Sequence, residues 1–416
     1  MINEKKRKVS IKNVGFYTLI FLMLLFCIAR MIHSYIENVG IDFLLFSSCT
    51  YAALRGMDFY DVHNLIFYEW EESLMVLPGL LIFYIPYMFL DIDNARLVYF
   101  IVSLAASVFV YIWIFKLSGL LEKVNFRNPN LNTLMFFIGA FVFLNSSPQL
   151  MCQRNGQVGI WVLLLLLFFF STKNKFLRAF LFGLAAVFKY SMMTFLAPLF
   201  FLKKQYFICI VGFVVFLLVC MWPALIGYNL IDLYLRYIEV IRHTIGGGCN
   251  SYALAGHDML QFGYCRVTTI NILGKIFFGG VMLFVFWRER KNENIGLNLM
   301  LLVFCLTMLI SYHRLYDNVV LVLLLLVKTN FLIRKKNWLH VAICGFFLLL
   351  YMIPIDWILE FANYLGNSWL DTIFYVSVYS TMDTVLPIIA WAQTILAFYL
   401  LYVYFKTEDD YTFKLK

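Results

Sequence analysis

Residues suited to proton transfer lie just after the first apolar segment of the sequence. Asp42 opens this stretch, and Asp58, Tyr60 and Asp61 follow Gly56 at its far end. A carboxylate at a boundary between water and lipid could accept a proton from a substrate hydroxyl, which is general base chemistry. The alternative for Asp42 is a helix N-cap, a position that aspartate favours. Asp58 and Asp61 could equally hold the turn after Gly56.

A second set of candidate residues is cationic. Lys189 interrupts an apolar run, and Arg154, His313 and Arg314 lie near the predicted outer ends of other runs. Positive charge at the membrane boundary could bind an anionic group. The alternative for each arginine is an interfacial side chain that extends its charge towards water.

Patterns for metal binding are weak. His243, His257 and Asp258 share one long polar stretch but lack the ligand spacing of a zinc site. The nine cysteines include no Cys-x-x-Cys pair. Asp91 and Asp93 have the Asp-x-Asp spacing of nucleotide-sugar enzymes, but the predicted topology places them outside, where nucleotide sugars are absent. We therefore expect no metal and no cofactor.

The composition of the chain predicts which kind of fold positions these residues. Of its 416 residues, 63% are hydrophobic and 14% are charged, and the mean hydropathy is +0.82. A soluble domain has about 25% charged residues, so the composition excludes a soluble globular enzyme, a disordered chain and a small disulfide-rich domain. It predicts an all-α, polytopic integral membrane protein that forms one domain over residues 1–416.

Twelve apolar runs are predicted to cross the bilayer, whose core of about 30 Å requires about 20 helical residues. They are 14–33, 96–117, 132–148, 157–170, 177–189, 190–202, 206–226, 268–287, 295–312, 316–331, 338–355 and 384–405. Loops rich in lysine and arginine are predicted to be cytoplasmic, together with both termini. These loops are 118–131, 171–178, 203–205, 288–294 and 332–337. The net charge of +9 is then mainly an orientation signal, and no nucleic-acid partner is expected.

All basic loops can lie on one side of the membrane only if two of the apolar segments do not cross it as single helices. Lys189 lies in the middle of 177–202, where a lysine would be costly at the centre of a single span. A hairpin of two short helices with Lys189 at its outer turn avoids that cost. The segment 73–90 has acidic flanks and contains Pro78 and Pro86, so we predict a re-entrant or interfacial helix there.

The longest outer loops are predicted at 34–95, 227–267 and 356–383. Helical spacing of apolar and small residues over 43–55 predicts an interfacial helix in the first of them. Cys249 and Cys265 share the second loop, where an extracytoplasmic location would permit a disulfide.

The stretch that begins at Asp42 resembles the first extracytoplasmic loop of glycosyltransferase family 87. This group of GT-C-fold enzymes includes polyprenyl-phosphate-mannose-dependent mannosyltransferases. The residues at matching offsets are Asp42, Phe43, Phe46, Gly56, Asp58, Tyr60 and Asp61, with Phe59 where the family usually has proline. The resemblance implies a GT-C-like bundle in which Asp42 is the catalytic base.

Three shorter stretches are similar to other motifs of that family. They are Asn155-Gly156-Gln157, with Gly159 in place of a following asparagine, Lys189-Tyr190, with Tyr190 in place of proline, and Ser311-Tyr312-His313 with Asp317. The family's Tyr-Pro-Pro is absent, and Phe67-Tyr68-Glu69-Trp70 stands there instead. The resemblance covers roughly residues 14–330 and leaves the acceptor specificity open.

The function implied by the resemblance is that of an inverting membrane glycosyltransferase. It would move a hexose such as mannose from a polyprenyl-phosphate donor to a glycan or glycolipid acceptor, on the extracytoplasmic face of the plasma or inner membrane. The implied donor-phosphate ligands are Lys189, Arg154, His313 and Arg314. The implied substrate-binding residues are Asp58, Tyr60, Asp61, Gln157 and Asp317.

Two other functions fit a chain of this composition. A lipid-linked sugar flippase or transporter would distribute polar residues through the spans, around a site at mid-membrane. A glycan polymerase or ligase would carry arginine-rich outer loops. In this chain the polar clusters lie at one predicted face and the outer loops are net acidic, which favours glycosyl transfer.

Overall fold

The computed structural model describes residues 11–36, 40–68, 76–245, 268–311, 315–354 and 388–415, which fold into a bundle of helices. The α-helices are α1 (Ile11–Ile36), α2 (Ile41–Leu54), α3 (Ile92–Leu117), α4 (Leu131–Asn145), α5 (Ser147–Asn155), α6 (Gly159–Ser171), α7 (Lys175–Phe188), α8 (Tyr190–Leu202), α9 (Tyr206–Cys220), α10 (Leu230–Ile245), α11 (Thr268–Glu289), α12 (Leu297–Ile310), α13 (Val319–Arg334), α14 (Trp338–Leu350) and α15 (Ile388–Lys406). Short 3₁₀ helices cover Val62–Asn64, Pro78–Phe83, Ile85–Phe89, Leu121–Lys123, Trp222–Ile226 and Leu315–Asn318. A two-residue antiparallel pair joins β1 (Ile295–Gly296) to β2 (Thr412–Phe413).

The predicted class, an all-α polytopic membrane protein, is confirmed. Within the described residues, three segments are long and apolar enough to cross a membrane: Asn13–Ile36, Ile92–Leu117 and Tyr206–Ile226. A fourth is added if α4 and α5, which bend by 48° at their junction, count as one span. Helices such as α6 and α8 have 13 residues, or about 20 Å. The count of twelve spans therefore stays a prediction.

Helices α12 and α13 form the centre of the bundle. Every residue of 297–309 is buried, and so is every residue of 319–330. A helix that is apolar on all sides belongs either in a protein core or against lipid, and the burial of these two places them in the core. The other helices pack around these two, which leaves the apolar outer faces of α1, α3 and α9 exposed, as expected for surfaces in contact with lipid.

Local sequence fixes several helix starts. Asn130 and Thr133 form a capping box at the start of α4, and Asn174 caps α7. Asp91 caps α3, because its carboxylate accepts the backbone N–H of Asn94 at 3.0 Å. This hydrogen bond lowers the pKa of Asp91. The first aspartate of the Asp-x-Asp pattern is thus a helix cap.

The predicted hairpin around Lys189 is confirmed. The backbone of Lys189 has φ −151° and ψ 79°, which ends α7 and starts α8. The start of α7 meets the start of α9, with ring centroids of Phe176 and Phe207 4.9 Å apart. At their other ends, Val187 and Cys220 both border the Cβ position of Gly79. Helices α7 and α9 therefore run parallel and pack directly on each other, and α8, which links them in the chain, runs in the opposite direction.

The loops predicted to be cytoplasmic lie together at one end of the bundle. Arg178, near the start of α7, donates a hydrogen bond to the carbonyl oxygen of Leu415. Lys203, at the end of α8, donates to the carbonyl oxygens of Asn292 at 2.6 Å and Asn294 at 3.0 Å. The loop before β1 and the C-terminal segment are thereby fixed beside the α6–α7 and α8–α9 loops.

The remaining basic loops reach the same end. Arg334, at the end of α13, donates to the carbonyl oxygen of Leu120 at 3.4 Å. Lys328 and Lys335 both pair with the buried carboxylate of Asp410, at 2.5 and 2.6 Å. All five predicted basic loops are therefore linked at what we call the basic end of the bundle, while the tip of the α7–α8 hairpin lies at the opposite end.

The segment 73–90 contains no long helix in its described part, residues 76–90. Two short 3₁₀ helices, Pro78–Phe83 and Ile85–Phe89, each have proline in their first turn. Pro78 and Leu81 are buried, and the carbonyl oxygen of Pro78 accepts the indole N–H of Trp222 at 2.7 Å. The single helix predicted here is thus replaced by two short 3₁₀ helices, and its re-entrant or interfacial position stays a prediction.

The hairpin predicts opposite labelling for cysteines placed at its two ends. In a variant with Cys249 and Cys265 replaced by serine, Tyr190→Cys at the exposed tip should react with a membrane-impermeant maleimide applied to intact cells. Lys175→Cys, exposed at the basic end, should react only after permeabilisation. Reaction of Tyr190→Cys only from the cytoplasmic side would contradict the predicted orientation.

Candidate active site

Asp42 lies in the first turn of α2, beside a left-handed glycine. Gly40 is the N-cap residue, with φ 72°, and α2 begins at Ile41, two residues before the predicted segment 43–55. The alternative that Asp42 is the N-cap is therefore wrong. Burial raises the pKa of Tyr84, and the Asp42 carboxylate adds to the rise, so the two side chains lie within electrostatic range. Asp42 itself is partly exposed.

The turn after α5 packs directly on the first turn of α2. Gly156 has φ 76°, and a Cβ atom built on it would lie 2.5 Å from the Cβ of Phe43 and 3.1 Å from its backbone nitrogen. No residue with a side chain fits this approach without displacing the backbone. The Asn155-Gly156-Gln157 turn is therefore brought beside Asp42.

A small open cleft lies between the end of α1, the start of α3 and the end of α5. Its lining residues are Tyr35, Gly40, Phe43, Arg96, Tyr99, Phe100, Gln153, Arg154 and Gly156. Two arginines thus border the same space as the residues on either side of Asp42. Arg154 was predicted at the site. Arg96 was missed, because its position near the start of a span does not reveal which way it faces.

Lys189, at the tip of the α7–α8 hairpin, forms an ion pair with Asp317. The ammonium nitrogen lies 3.0 Å from a carboxylate oxygen, and the side chains are 15% and 1% exposed. Cys152, one turn before Gly156, feels the charges of both. The Lys189–Asp317 pair is therefore within electrostatic range of α5, one helical turn before Gly156.

A buried polar network supports the loop that carries Asp317. The amide of Asn318 donates to Gln393 at 3.2 Å and to the hydroxyl of Tyr351 at 3.3 Å. The Tyr351 hydroxyl donates to Gln393 at 2.9 Å. Because buried polar groups are costly unless hydrogen-bonded, this network fixes the 3₁₀ helix Leu315–Asn318 against α14 and α15.

Three residues predicted to bind substrate lie at the opposite end of α2. Asp58 accepts the backbone N–H of Tyr60 at 2.9 Å and pairs with Arg236 of α10 at 3.3 Å. Asp61 caps the following 3₁₀ helix. The Tyr60 hydroxyl donates to the carbonyl oxygen of Val76 at 2.8 Å, and burial raises its pKa. Since α2 has 14 residues, about 21 Å separates them from Asp42.

Of the remaining predicted site residues, Gln157 is described by the structure, whereas His313 and Arg314 are not. Gln157 is buried, and its carbonyl oxygen accepts the Tyr99 hydroxyl at 3.1 Å. His313 and Arg314 lie outside the described residues, as do Cys249 and Cys265 with the possible disulfide. Within the described part of the chain, no group of three histidine, cysteine or acidic residues could hold a metal ion.

The assembled site is a carboxylate beside a cationic cleft, at the end of the bundle opposite the basic end. A proton acceptor next to groups that bind an anion suits the displacement of a phosphate by a hydroxyl group. Asp42, Arg154, Gly156 and the Lys189–Asp317 pair are brought together. Asp58, Tyr60 and Asp61 are not.

Comparison with known proteins gives one match. The sequence model of glycosyltransferase family 87 matches residues 78–311, more than half of the chain. The match includes Gly156 and Lys189, whereas Asp42 precedes it and Asp317 follows it. No curated protein and no solved structure matches the chain. On the extent of this match, the chain belongs to glycosyltransferase family 87 and is a membrane glycosyltransferase.

Proposed function

We propose that the protein is an inverting glycosyltransferase that moves a hexose, mannose in our assignment, from a polyprenyl-phosphate donor to a hydroxyl group of a glycan or glycolipid. The observation that carries this proposal is the position of Asp42. The carboxylate lies in a helical turn held by Gly156 and beside a cleft with two arginines. Asp42 is the general base of the proposed reaction.

The chemistry follows from this arrangement. Asp42 accepts the proton of the acceptor hydroxyl as its oxygen attacks the anomeric carbon, and the bond from that carbon to the phosphate oxygen breaks. An inverting displacement places the base and the leaving group on opposite faces of the sugar. Phosphate is already a good leaving group, so stabilising its charge matters more than protonating it.

The side of the membrane follows from the charge distribution. Positively charged loops are retained in the cytoplasm, and the described basic loops are linked at the end opposite the hairpin tip. We therefore assign the end that carries Asp42 to the extracytoplasmic face and both termini to the cytoplasm. Sugars linked to lipid phosphate are the donors available there.

We infer that the Lys189–Asp317 pair fixes the hairpin tip beside the site. The pair has no net charge, so it attracts a phosphate less than a lysine alone would. Its carboxylate is buried and its lysine nearly so, which makes the geometry costly to break. Both residues, first predicted to contact donor and substrate, are then positioning residues.

Removal of the base tests the central assignment. Asp42→Asn should reduce transfer from a labelled polyprenyl-phosphate hexose by about 10²-fold to 10⁴-fold, because the amide accepts no proton. Elution on size exclusion and the melting temperature in detergent should stay unchanged.

Asp93→Asn provides the matched control, since Asp93 is an exposed carboxylate in the first turn of α3 at the same end of the bundle. It should transfer at the wild-type rate. Full activity of Asp42→Asn would remove Asp42 from the role of base.

The close contact between Gly156 and Phe43 gives a second prediction about the site. Gly156→Ala should lower both the transfer rate and the melting temperature, because its Cβ would push the first turn of α2 away. Gly119→Ala is the control, since Gly119 has φ 68° but nothing lies within 4 Å of its Cβ position. Left-handed strain alone costs about 1–2 kcal/mol. Equal losses in the two variants would mean that the contact with Phe43 has no effect.

The ion pair makes a third prediction. Asp317→Asn should lower the free energy of unfolding by about 3–5 kcal/mol, because it leaves a largely buried lysine without its carboxylate. The double variant Lys189→Met with Asp317→Leu should recover most of that loss and keep transfer within about tenfold of wild type. A stable double variant with activity as low as Asp42→Asn would show instead that Lys189 acts on the substrate.

A further inference from the structure

We propose that a ladder of polar groups between α3 and α5 sets the register of α5, and that Ser107 is a positioning residue for the reaction. Helix α5 carries Arg154 and leads into Gly156, so its register decides where both residues lie relative to Asp42. The effect on the transfer rate rests on the proposed function. The effect on the first turn of α2 can be measured without any substrate.

The ladder has three evenly spaced rungs, each of which joins one residue of α3 to one residue of α5 or of the turn after it. The three pairs are Tyr99 with Gln157, Ser103 with Gln153, and Ser107 with Gln149. Along each segment the three residues recur at intervals of four, which places them on one face of a helix. The two matching patterns therefore align α5 antiparallel to α3.

Ser107 forms the deepest rung and also reaches the middle one. Its hydroxyl oxygen accepts the side-chain amides of Gln149 at 2.7 Å and of Gln153 at 3.0 Å. Its hydroxyl group donates to the carbonyl oxygen of Ser103 at 2.8 Å. A hydroxyl group has one donor and two acceptor positions, so all three are used. Ser107 and Gln149 are both completely buried.

The other two rungs continue the ladder to the cleft. The hydroxyl group of Ser103 donates to the side-chain oxygen of Gln153 at 3.3 Å, and Gln153 lines the cleft. The Tyr99 hydroxyl donates to the carbonyl oxygen of Gln157, in the turn after α5, at 3.1 Å. The ladder thus runs from the interior of the bundle to the turn that packs on the first turn of α2.

Helix α5 is short and is set at an angle to the helix before it. It has nine residues and bends by 48° away from α4. Its start is fixed by Ser147, whose N–H donates to the carbonyl oxygen of Tyr351 at 2.6 Å and whose hydroxyl donates to that of Ile353. Apolar contacts alone hold helices in a membrane weakly, because lipid is as apolar as the helix surfaces. Hydrogen bonds at a defined spacing specify the position of the rest of α5.

A slip of α5 along α3 would break the ladder. A shift of one residue moves the helix by about 1.5 Å and turns its side chains by about 100°, which takes both glutamines away from Ser107. A shift of one full turn could pair Gln149 with Ser103, but it would leave Ser107 without its glutamines. Because buried polar groups are costly without hydrogen bonds, the observed register is the one that satisfies all three rungs.

Removal of the Ser107 hydroxyl tests the proposal in the full-length protein in nanodiscs. Ser107→Ala leaves almost the same volume, so packing alone predicts no effect. The ladder predicts that kcat falls by about 10-fold to 10²-fold, because a displacement of about 1 Å can cost that much. It also predicts faster hydrogen exchange in peptides that cover 41–48, measured without substrate.

Ser118→Ala provides the matched control. Ser118 lies at the other end of α3, and its hydroxyl donates within its own helix, to the carbonyl oxygen of Phe115 at 3.3 Å. This variant should match the wild type in kcat and in the exchange of 41–48.

Two further variants separate register from stability. Ser107→Ala combined with Gln149→Met also removes the amide that Ser107→Ala leaves unpaired, so the melting temperature should recover while kcat and the exchange of 41–48 should not. Ser107→Thr keeps the hydroxyl but adds a methyl group at a buried position. It should lower the melting temperature and yet keep kcat within about tenfold of wild type. If kcat instead follows the melting temperature across these variants, the role of Ser107 is only structural and the proposal is wrong.

The remaining outcomes also decide the matter. Unchanged kcat and exchange in the folded Ser107→Ala protein would overturn the proposal, and so would a loss of transfer without faster exchange of 41–48. If the wild-type protein transfers no sugar from any lipid phosphate but the exchange of 41–48 still rises in Ser107→Ala, the ladder stands and the proposed donor does not. If transfer depends on Asp42 and exchange rises while kcat stays unchanged, the proposed function stands and Ser107 has no positioning role.

Discussion

The close contact between Gly156 and Phe43 is the constraint on which the candidate site depends. It joins the turn after α5 to the first turn of α2, and it exists only because Gly156 has no side chain and a left-handed backbone. Phe43 is held from its other side by Tyr84 and Tyr99. The turn that carries Asp42 is thereby fixed to the bundle, although α2 itself crosses no membrane in the predicted topology.

The two ends of the bundle differ in their chemistry. At the basic end, lysines and arginines are tied to backbone carbonyls and to Asp410, so their charges serve structure and orientation. At the opposite end, Arg96 and Arg154 border a cleft, and Lys189 meets the buried carboxylate of Asp317. Positive charge therefore has separate purposes at the two ends, which the net charge of the chain does not reveal.

The cations at the cleft and the lysine of the ion pair have different roles in our proposals. Lys189 is matched to Asp317 and braces the hairpin against the loop before α13. Arg96 and Arg154 line a space that is open and borders apolar, outward-facing helices. In our proposals, the first arrangement maintains the shape of the site and the second binds the anion, with Asp42 acting on the far side of the sugar.

Much of the fold could be predicted from local sequence, because apolar length and charge are properties of single segments. The break at Lys189 followed from the cost of a lysine inside an apolar run, and the grouping of the basic loops at one end of the bundle followed from their composition. The helix at the first loop was also predicted, although its start at Ile41 was not, because Gly40 rather than Asp42 caps it.

The sequence by itself thus determined the class of protein, the break at Lys189 and the candidate base Asp42, whereas α10 lies in a stretch that was predicted as an outer loop. Only the tertiary structure decided which of the polar residues meet. Arg96 lies at the same cleft as Arg154, where α1 and α3 meet through Tyr35 and Phe100. Asp58 and Asp61 lie far from Asp42, because the 14 residues of α2 separate them from it. Such pairings depend on contacts between segments far apart in the chain, and no local pattern of residues encodes them.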